Sequence, residues 1–144
     1  MLSVCMIIRN EEKELVSFLK NVAPYADEIV AVDTGSTDRS RRILSKHPKV
    51  RLLRFPWVDD FAAARNISLE AAKGDWILVM DADERMENPK LLPELLAAEE
   101  IDAYNVCIRN LQPEGSLTRY EQSYLPRLFR NKGYRYEGII HEQI

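Results

Sequence analysis

From residue 2 to residue 8 every position except Ser3 is apolar, and the run is continuous rather than alternating, the pattern of a strand covered on both faces. Behind it, Asn10 has the chemistry of a helix cap, Glu11, Glu12 and Glu14 fill a first turn, and Leu15, Phe18, Leu19 and Val22 make a stripe of helical spacing that Pro24 ends. The unit then repeats, with an apolar strand over 28–33, a turn at Thr34, Gly35 and Ser36, and a helix through Arg42 to Lys46 that stops before Pro48. A third strand is predicted over 50–55. Asp59 or Asp60 caps a helix over 61–73, and Gly74 stands where a left-handed residue would close it. Residues 75–81 form another strand buried on both faces. Four strands alternating with three helices predict the α/β class, with an open, mostly parallel, Rossmann-like sheet flanked by helices and joined by right-handed crossovers.

Asn88 and Pro89 then open a short helix marked by Leu91, Leu92, Leu95 and Leu96. A strand over 103–109, a loop at 112–116, and two strands over 124–130 and 134–140 around the turn at Asn131, Lys132 and Gly133 predict a small antiparallel element near the C-terminus. There is no internal repeat and no low-complexity tract. The chain stops at Ile144 just after the apolar pair Ile139 and Ile140, without a polar tail, so residues 1–144 are expected to be one catalytic domain cut from something longer.

Composition narrows the function mainly by exclusion. The chain has 144 residues, 46% of them hydrophobic, enough for the core of a single domain. Its 20 basic and 23 acidic residues leave a net charge of −3, without the basic excess of a nucleic-acid surface, so any bound phosphate needs local neutralisation. Cys5 and Cys107 both lie in apolar runs and are predicted to be buried free thiols of a reducing compartment, not a zinc or disulfide framework. No apolar stretch approaches the roughly 20 residues of a membrane span, and no basic segment precedes the first apolar run. The cytoplasm is the expected location.

In open α/β sheets ligands bind beyond the carboxyl ends of the strands. Three of the predicted strand ends carry polar clusters: Arg9 to Glu12, Asp33 to Ser36, and Asp81 to Glu84. Asp81 and Asp83 are two apart in an extended segment, so both carboxylates lie on one side, where a hard cation, Mg2+ or Mn2+, can sit between them and a phosphate. The alternative is a solvated acidic turn capping the next helix. Asp33 can accept hydrogen bonds from a ribose or base while Gly35 lets the backbone approach closely; alternatively Ser36 or Thr37 simply caps a helix from near Asp38. In the third helix the apolar side is read as Phe61, Ala64, Ser68, Ala71 and Ala72. Arg65 borders that side, able to reach a diphosphate or Asp81, or else lies over its own helix at the surface.

Taken together, the segments 3–12, 32–38, 64–66 and 74–84 resemble family two glycosyltransferases of the GT-A fold, in order and in spacing. Residues 125–130 and 138–142 resemble the bacterial branch whose catalytic domain is often followed by tetratricopeptide-type helical repeats. The resemblance implies a nucleoside-diphosphate sugar donor, UDP-sugar above all, held by Ile8, Arg9, Asn10, Glu12, Asp33, Gly35, Ser36, Arg65, Asp81 and Ala82. It implies Mn2+ or Mg2+ on Asp83 with Asp81 beside it, and His141 is a further candidate ligand. It also implies inversion at the anomeric carbon, which needs a carboxylate to take the proton of the acceptor, whether glycan, lipid or protein. Glu142 is the first choice, with Glu137 and Glu121 as the other candidates. Thr34 follows Asp33 where many members carry a second aspartate, which departs from the pattern.

Three competing readings remain at this level. A haloacid-dehalogenase-type phosphatase wants Thr or Val where Arg85 stands, and a nucleotidylyltransferase wants a glycine-rich loop after the first strand, where residues 9–12 contain no glycine. A non-catalytic nucleotide-sugar-binding domain would keep the same sheet.

Overall fold

A computed structural model of the chain describes residues 1–111 and 120–137. Its elements are β1 (Leu2–Ile8), α1 (Glu12–Val22), β2 (Glu28–Asp33), α2 (Ser40–Ser45), β3 (Val50–Arg54), α3 (Phe61–Ala71), β4 (Trp76–Val79), α4 (Leu92–Ala97, entered through a 3-10 turn at Pro89–Leu91), β5 (Ala103–Leu111) and β6 (Tyr120–Arg130). They build one six-stranded sheet in the order β3-β2-β1-β4-β6-β5. The first four strands are mutually parallel, whereas β6 runs antiparallel to β4 and β5 antiparallel to β6.

β1 lies near the middle of this sheet, and its unbroken apolar run follows from that place. Leu2, Val4, Met6 and Ile8 pack into a core with α1, while Cys5 turns to the opposite face among Val30, Ile77 and Val79. The stripe Leu15, Phe18, Leu19 and Val22 is the buried side of α1, so helical and strand periodicities meet in one core. Asp60 caps α3 as the sequence suggests, its Oδ1 accepting from the Ala63 N–H at 3.1 Å.

Several expectations are corrected. Asn10 does not cap α1; it sits at φ +52°, in the left-handed region that Asn tolerates better than most residues, and Glu11 takes the cap position. Gly74 does not close α3 in a left-handed conformation, since that helix ends at Ala71 and passes into an extended Ala72. Glycine is required there by close approach instead: an added Cβ would lie 2.7 Å from the Ser3 nitrogen, 2.7 Å from Ser3 Oγ and 2.8 Å from the Met1 carbonyl oxygen. Two of those three atoms are backbone of β1 or its lead-in and cannot swing away. The Gly74 N–H also donates to Ser3 Oγ at 2.8 Å, giving that buried hydroxyl a partner. Gly74→Ala is therefore expected to destabilise the chain by about 1–3 kcal/mol, read as a lower denaturation midpoint with an unchanged slope. A midpoint equal to the parent's would show that the β1–β4 junction relaxes freely.

Cys107 is a free thiol as expected but it is exposed, because β5 is the outer strand and this face of the β5–β6 pair carries no covering layer among the described residues. The antiparallel element expected near the C-terminus is present as β5 and β6, and β6 hydrogen-bonds to β4, so that it extends the main sheet. Of the strand expected over 134–140, residues 134–136 are irregular and Glu137 forms an isolated bridge; positions 138–140 lie outside the described residues.

Candidate functional site

The carboxyl ends of β1, β2 and β4 open into one cleft of about 430 Å³. Ile7, Ile8, Arg9 and Glu11 line it from β1 and the loop after it, Thr34 from the end of β2, Trp57, Phe61 and Arg65 from the approach to α3 and its first turns, and Asp81, Ala82 and Asp83 from the end of β4. The ligand position general to open α/β sheets is thus occupied here by a polar cleft.

Two loops behind the cleft are stitched together by the residues predicted to meet a nucleotide. Asn10 Oδ1 accepts from the Thr37 N–H at 2.8 Å and the Asp38 N–H at 3.3 Å, and the Asn10 N–H donates to Ser36 Oγ at 3.0 Å. Glu12 Oε2 accepts from the Arg39 N–H at 3.2 Å. The Asp33 carboxylate is buried, with Oδ1 accepting from the N–H groups of Ser36 at 3.0 Å and Gly35 at 3.4 Å, and Arg41 Nε stands 3.4 Å from Oδ2. Gly35 itself sits at φ +128° with open space where a Cβ would be, so the turn asks for glycine through its backbone angle. Thr34 donates to the Ile8 carbonyl through both N–H and Oγ1, at 3.0 and 3.2 Å, closing the β1–β2 edge beneath the cleft.

At the other side, Arg65 Nη2 donates to Asp81 Oδ1 at 2.9 Å. Arg65 is only 8% exposed, so it is not a surface arginine; of the alternatives it takes the reach to Asp81, spanning from α3 to the end of β4 inside the protein. Its guanidinium lies 5.9 Å from the ring centre of Tyr136, whose backbone N–H and carbonyl are both bound by the Asn66 amide at 2.7 and 3.0 Å. The buried side of α3 is consequently Ala62, Ala64, Arg65, Ser68 and Leu69, and Phe61, expected on the apolar side, is turned outward at 37% exposure.

The turn carrying the two aspartates is held from three directions. Glu84 Oε2 accepts from the Asp81 N–H at 3.1 Å, Arg127 of β6 reaches the Val79 carbonyl at 3.3 Å and Glu84 at 3.4 Å, and Arg85 bridges the Ala82 carbonyl at 2.7 Å to Glu14 of α1 at 2.8 Å. Asp83 remains exposed in the cleft, with no hydrogen bond or ion pair among the described residues. Burial pushes the Glu84 carboxyl above the ordinary glutamate range, with Asp81 and Asp83 adding to it against the pull of Arg127.

Glu11, read from the sequence as a first-turn acid within the polar cluster after β1, also faces the cleft, and burial followed by the charges of Asp83, Glu14, Asp81 and Asp38 raises its pKa. A carboxyl that keeps its proton to higher pH when folded than when unfolded favours folding below the ordinary glutamate range, and ionisation above that range weakens the fold. Glu11→Gln cannot ionise, so in chelator it is expected to raise the melting temperature at pH 7, with the gain fading as the pH falls through the ordinary carboxylate range. A gain equal at pH 4 and pH 7 would mean that charge crowding is not its cause.

Among the described residues no group of three or more His, Cys, Asp or Glu side chains could hold a metal ion by itself. That donor set fits Mg2+ or Mn2+ shared with a ligand, since these ions are usually held by one or two carboxylates plus substrate phosphates. Asp83 offers both oxygens and Asp81 its second. His141 and Glu142 lie outside the described residues; Glu137 is exposed beside Tyr136, and Glu121 pairs with Asn110 across the β5–β6 ladder.

Sequence comparison matches glycosyl transferase family 2 to residues 3–143. A TPR repeat-containing protein of Synechococcus elongatus is 40% identical over 145 residues, which cover 99% of this chain and 35% of that protein. The lipopolysaccharide core biosynthesis glycosyltransferase LpsC of Rhizobium meliloti is 36% identical over 115 residues, 75% of this chain and 42% of that protein. The chain thus spans well under half the length of these relatives. Among solved structures, Staphylococcus aureus TarS in complex with UDP-GlcNAc superposes with a TM-score of 0.67 at 23% identity, covering 80% of this chain and 36% of that one. Mannosyltransferase PcManGT of Pyrobaculum calidifontis, in complex with GDP-Man and Mn2+, gives 0.62 at 26% identity over 76% of this chain and 35% of that one.

Proposed function

The chain belongs to glycosyl transferase family 2 and has the GT-A fold, and from that premise we propose that it is the catalytic domain of a metal-dependent, inverting glycosyltransferase using a nucleoside-diphosphate sugar. The observation that carries the reading is the exposed carboxylate of Asp83 in a cleft whose other acid, Asp81, is already paired to the buried Arg65. A diphosphate beside these acids calls for a cation, and the PcManGT structure is a complex with GDP-Man and Mn2+. We assign Asp83 as the principal ligand of Mn2+ or Mg2+, Asp81 as its neighbour, and His141 as a further ligand. When bound, the cation supplies positive charge against the leaving diphosphate.

The chain's own residues do the rest. Arg65 fixes the Asp81 carboxylate in place and offsets its charge beside the position of the diphosphate. Ile8, Arg9 and Ala82 form the wall along which the donor lies, and Asn10, Glu12, Asp33, Gly35 and Ser36 hold the two loops that receive its nucleoside, which we take to be uridine. In the transfer, an acceptor hydroxyl bonds to the anomeric carbon from the side opposite the diphosphate, the bond from that carbon to the diphosphate oxygen breaks with its electron pair leaving on the diphosphate, and Glu142 takes the hydroxyl proton. No described helix is long and apolar enough to cross a membrane. Free thiols at Cys5 and Cys107 fit a reducing compartment, and we place the reaction in the cytoplasm.

Incubation with UDP-sugars and GDP-mannose in Mn2+, followed by assay of released nucleoside diphosphate, tests the reading. Slow release from one donor, absent in chelator, is expected; release undiminished in chelator contradicts it.

A further inference from the structure

Three strand spacings, about 14 Å, separate the exit of β3 from the exit of β4 across the sheet. The cleft opens at the ends of β1, β2 and β4, and its lining differs in chemistry: Asp81 and Asp83 stand at the β4 end, while Trp57, three residues past β3, and Phe61, the first residue of α3, line it from the segment that follows β3. The two aromatic rings meet edge to face with centroids 4.8 Å apart, and the Trp57 indole N–H donates to Asp59 Oδ1 at 2.8 Å, so the indole is fixed both by packing and by a hydrogen bond. Phe61 remains 37% exposed and Trp57 half-buried, an apolar surface left open toward a polar cleft. A nucleoside diphosphate has the matching asymmetry, with anionic phosphates at one end and a flat π surface at the other.

We propose that Trp57, braced by Phe61, is the stacking platform for the donor's nucleobase. This rests on the donor reading above and adds to it the residue that recognises the base. With the diphosphate at Asp83, a ligand that extends over the ends of β1 and β2 passes Thr34 toward Trp57, which lines the same cleft. Stacking tolerates any base, so Trp57 contributes affinity, while choice among bases falls to hydrogen-bonding groups of the loops at the end of β2.

Trp57 also supplies its own probe. The chain has two tryptophans, and Trp76 is 2% exposed and stacked against Tyr104, so a ligand in the cleft can touch only Trp57 directly. UDP, GDP and inorganic pyrophosphate are titrated in Mg2+ against the parent, Trp57→Ala and Trp57→Phe, by calorimetry and by indole fluorescence. The tighter nucleotide is expected to lose about 5- to 100-fold in affinity in Trp57→Ala, with most of it kept in Trp57→Phe, while pyrophosphate changes less than about twofold. Parent fluorescence should be quenched by the nucleotide and not by pyrophosphate. Unchanged nucleotide affinity in Trp57→Ala overturns the stacking assignment alone, and equal losses for nucleotide and pyrophosphate show that Trp57 merely supports the cleft. A parent that binds none of the three in Mg2+ or Mn2+ overturns the donor reading itself, and the platform with it.

Discussion

Glu142→Gln is expected to lower sugar transfer by roughly 100- to 10,000-fold while leaving donor affinity near the parent's. A general base acts on the acceptor's proton in the transition state and makes little contact with bound donor, so its loss belongs in turnover. Glutamine keeps the size of the side chain and removes the proton-accepting charge. Glu137→Gln and Glu121→Gln are the comparisons, measured with the same donor and acceptor in a form of the protein that transfers sugar. Glu137 precedes the assigned base by five residues and follows Tyr136, which Asn66 ties to α3 beside Arg65. A large loss in Glu137→Gln with none in Glu142→Gln would move the base to that position.

Asp83→Asn should abolish the part of nucleotide binding that depends on Mn2+ or Mg2+, so that affinity in metal equals affinity in chelator, with the unliganded protein melting no lower than the parent. The second expectation follows from the exposure of Asp83 and the absence of any partner for it among the described residues. Asp81→Asn would not separate the two effects, since it also breaks the ion pair with the buried Arg65. Metal dependence surviving in Asp83→Asn would transfer the cation to Asp81 or to another group.

The parallel half of the fold was legible because its signals are local. The boundaries of β1 and β2 match the apolar runs residue for residue, and the α1 stripe fell where its spacing put it. The misreadings come from partners distant in sequence. Gly74 reads as a helix terminator from its neighbours, but its reason is contact with Met1 and Ser3, more than 70 residues away. For Arg65 the sequence left open a reach to Asp81 or a place over its own helix at the surface; only the meeting of α3 with the end of β4 decides for the buried contact with Asp81. Cys107 sits in an apolar run, yet an outer strand leaves one side open. For the site, the Asp81 to Asp83 spacing and the polar strand ends pointed to the edge of the sheet at which the cleft opens. Glu11 and Thr34 lay within the polar strand ends without being singled out, and Trp57 and Phe61 were missed as lining residues because nothing in their spacing says which loop closes over a strand end. Tryptophan shortly before a helix cap, followed four residues later by Phe, was the one available hint, since two large apolar side chains outside any periodic stripe want a ligand or a partner.

The most direct test of the account is the melting temperature of the unmodified chain with UDP, in Mn2+ and in chelator, with GDP alongside. Ligand that binds only the folded state stabilises by about 2.7 kcal/mol at a hundred times its dissociation constant, which for a domain of this size moves the midpoint by roughly 5–10 °C. The account predicts such a rise with at least one of the two nucleotides in Mn2+ and little or none in chelator, because Asp81, Asp83 and Glu11 repel an unscreened diphosphate. An equal rise in both conditions would contradict the claim that a cation on Asp83 holds the donor.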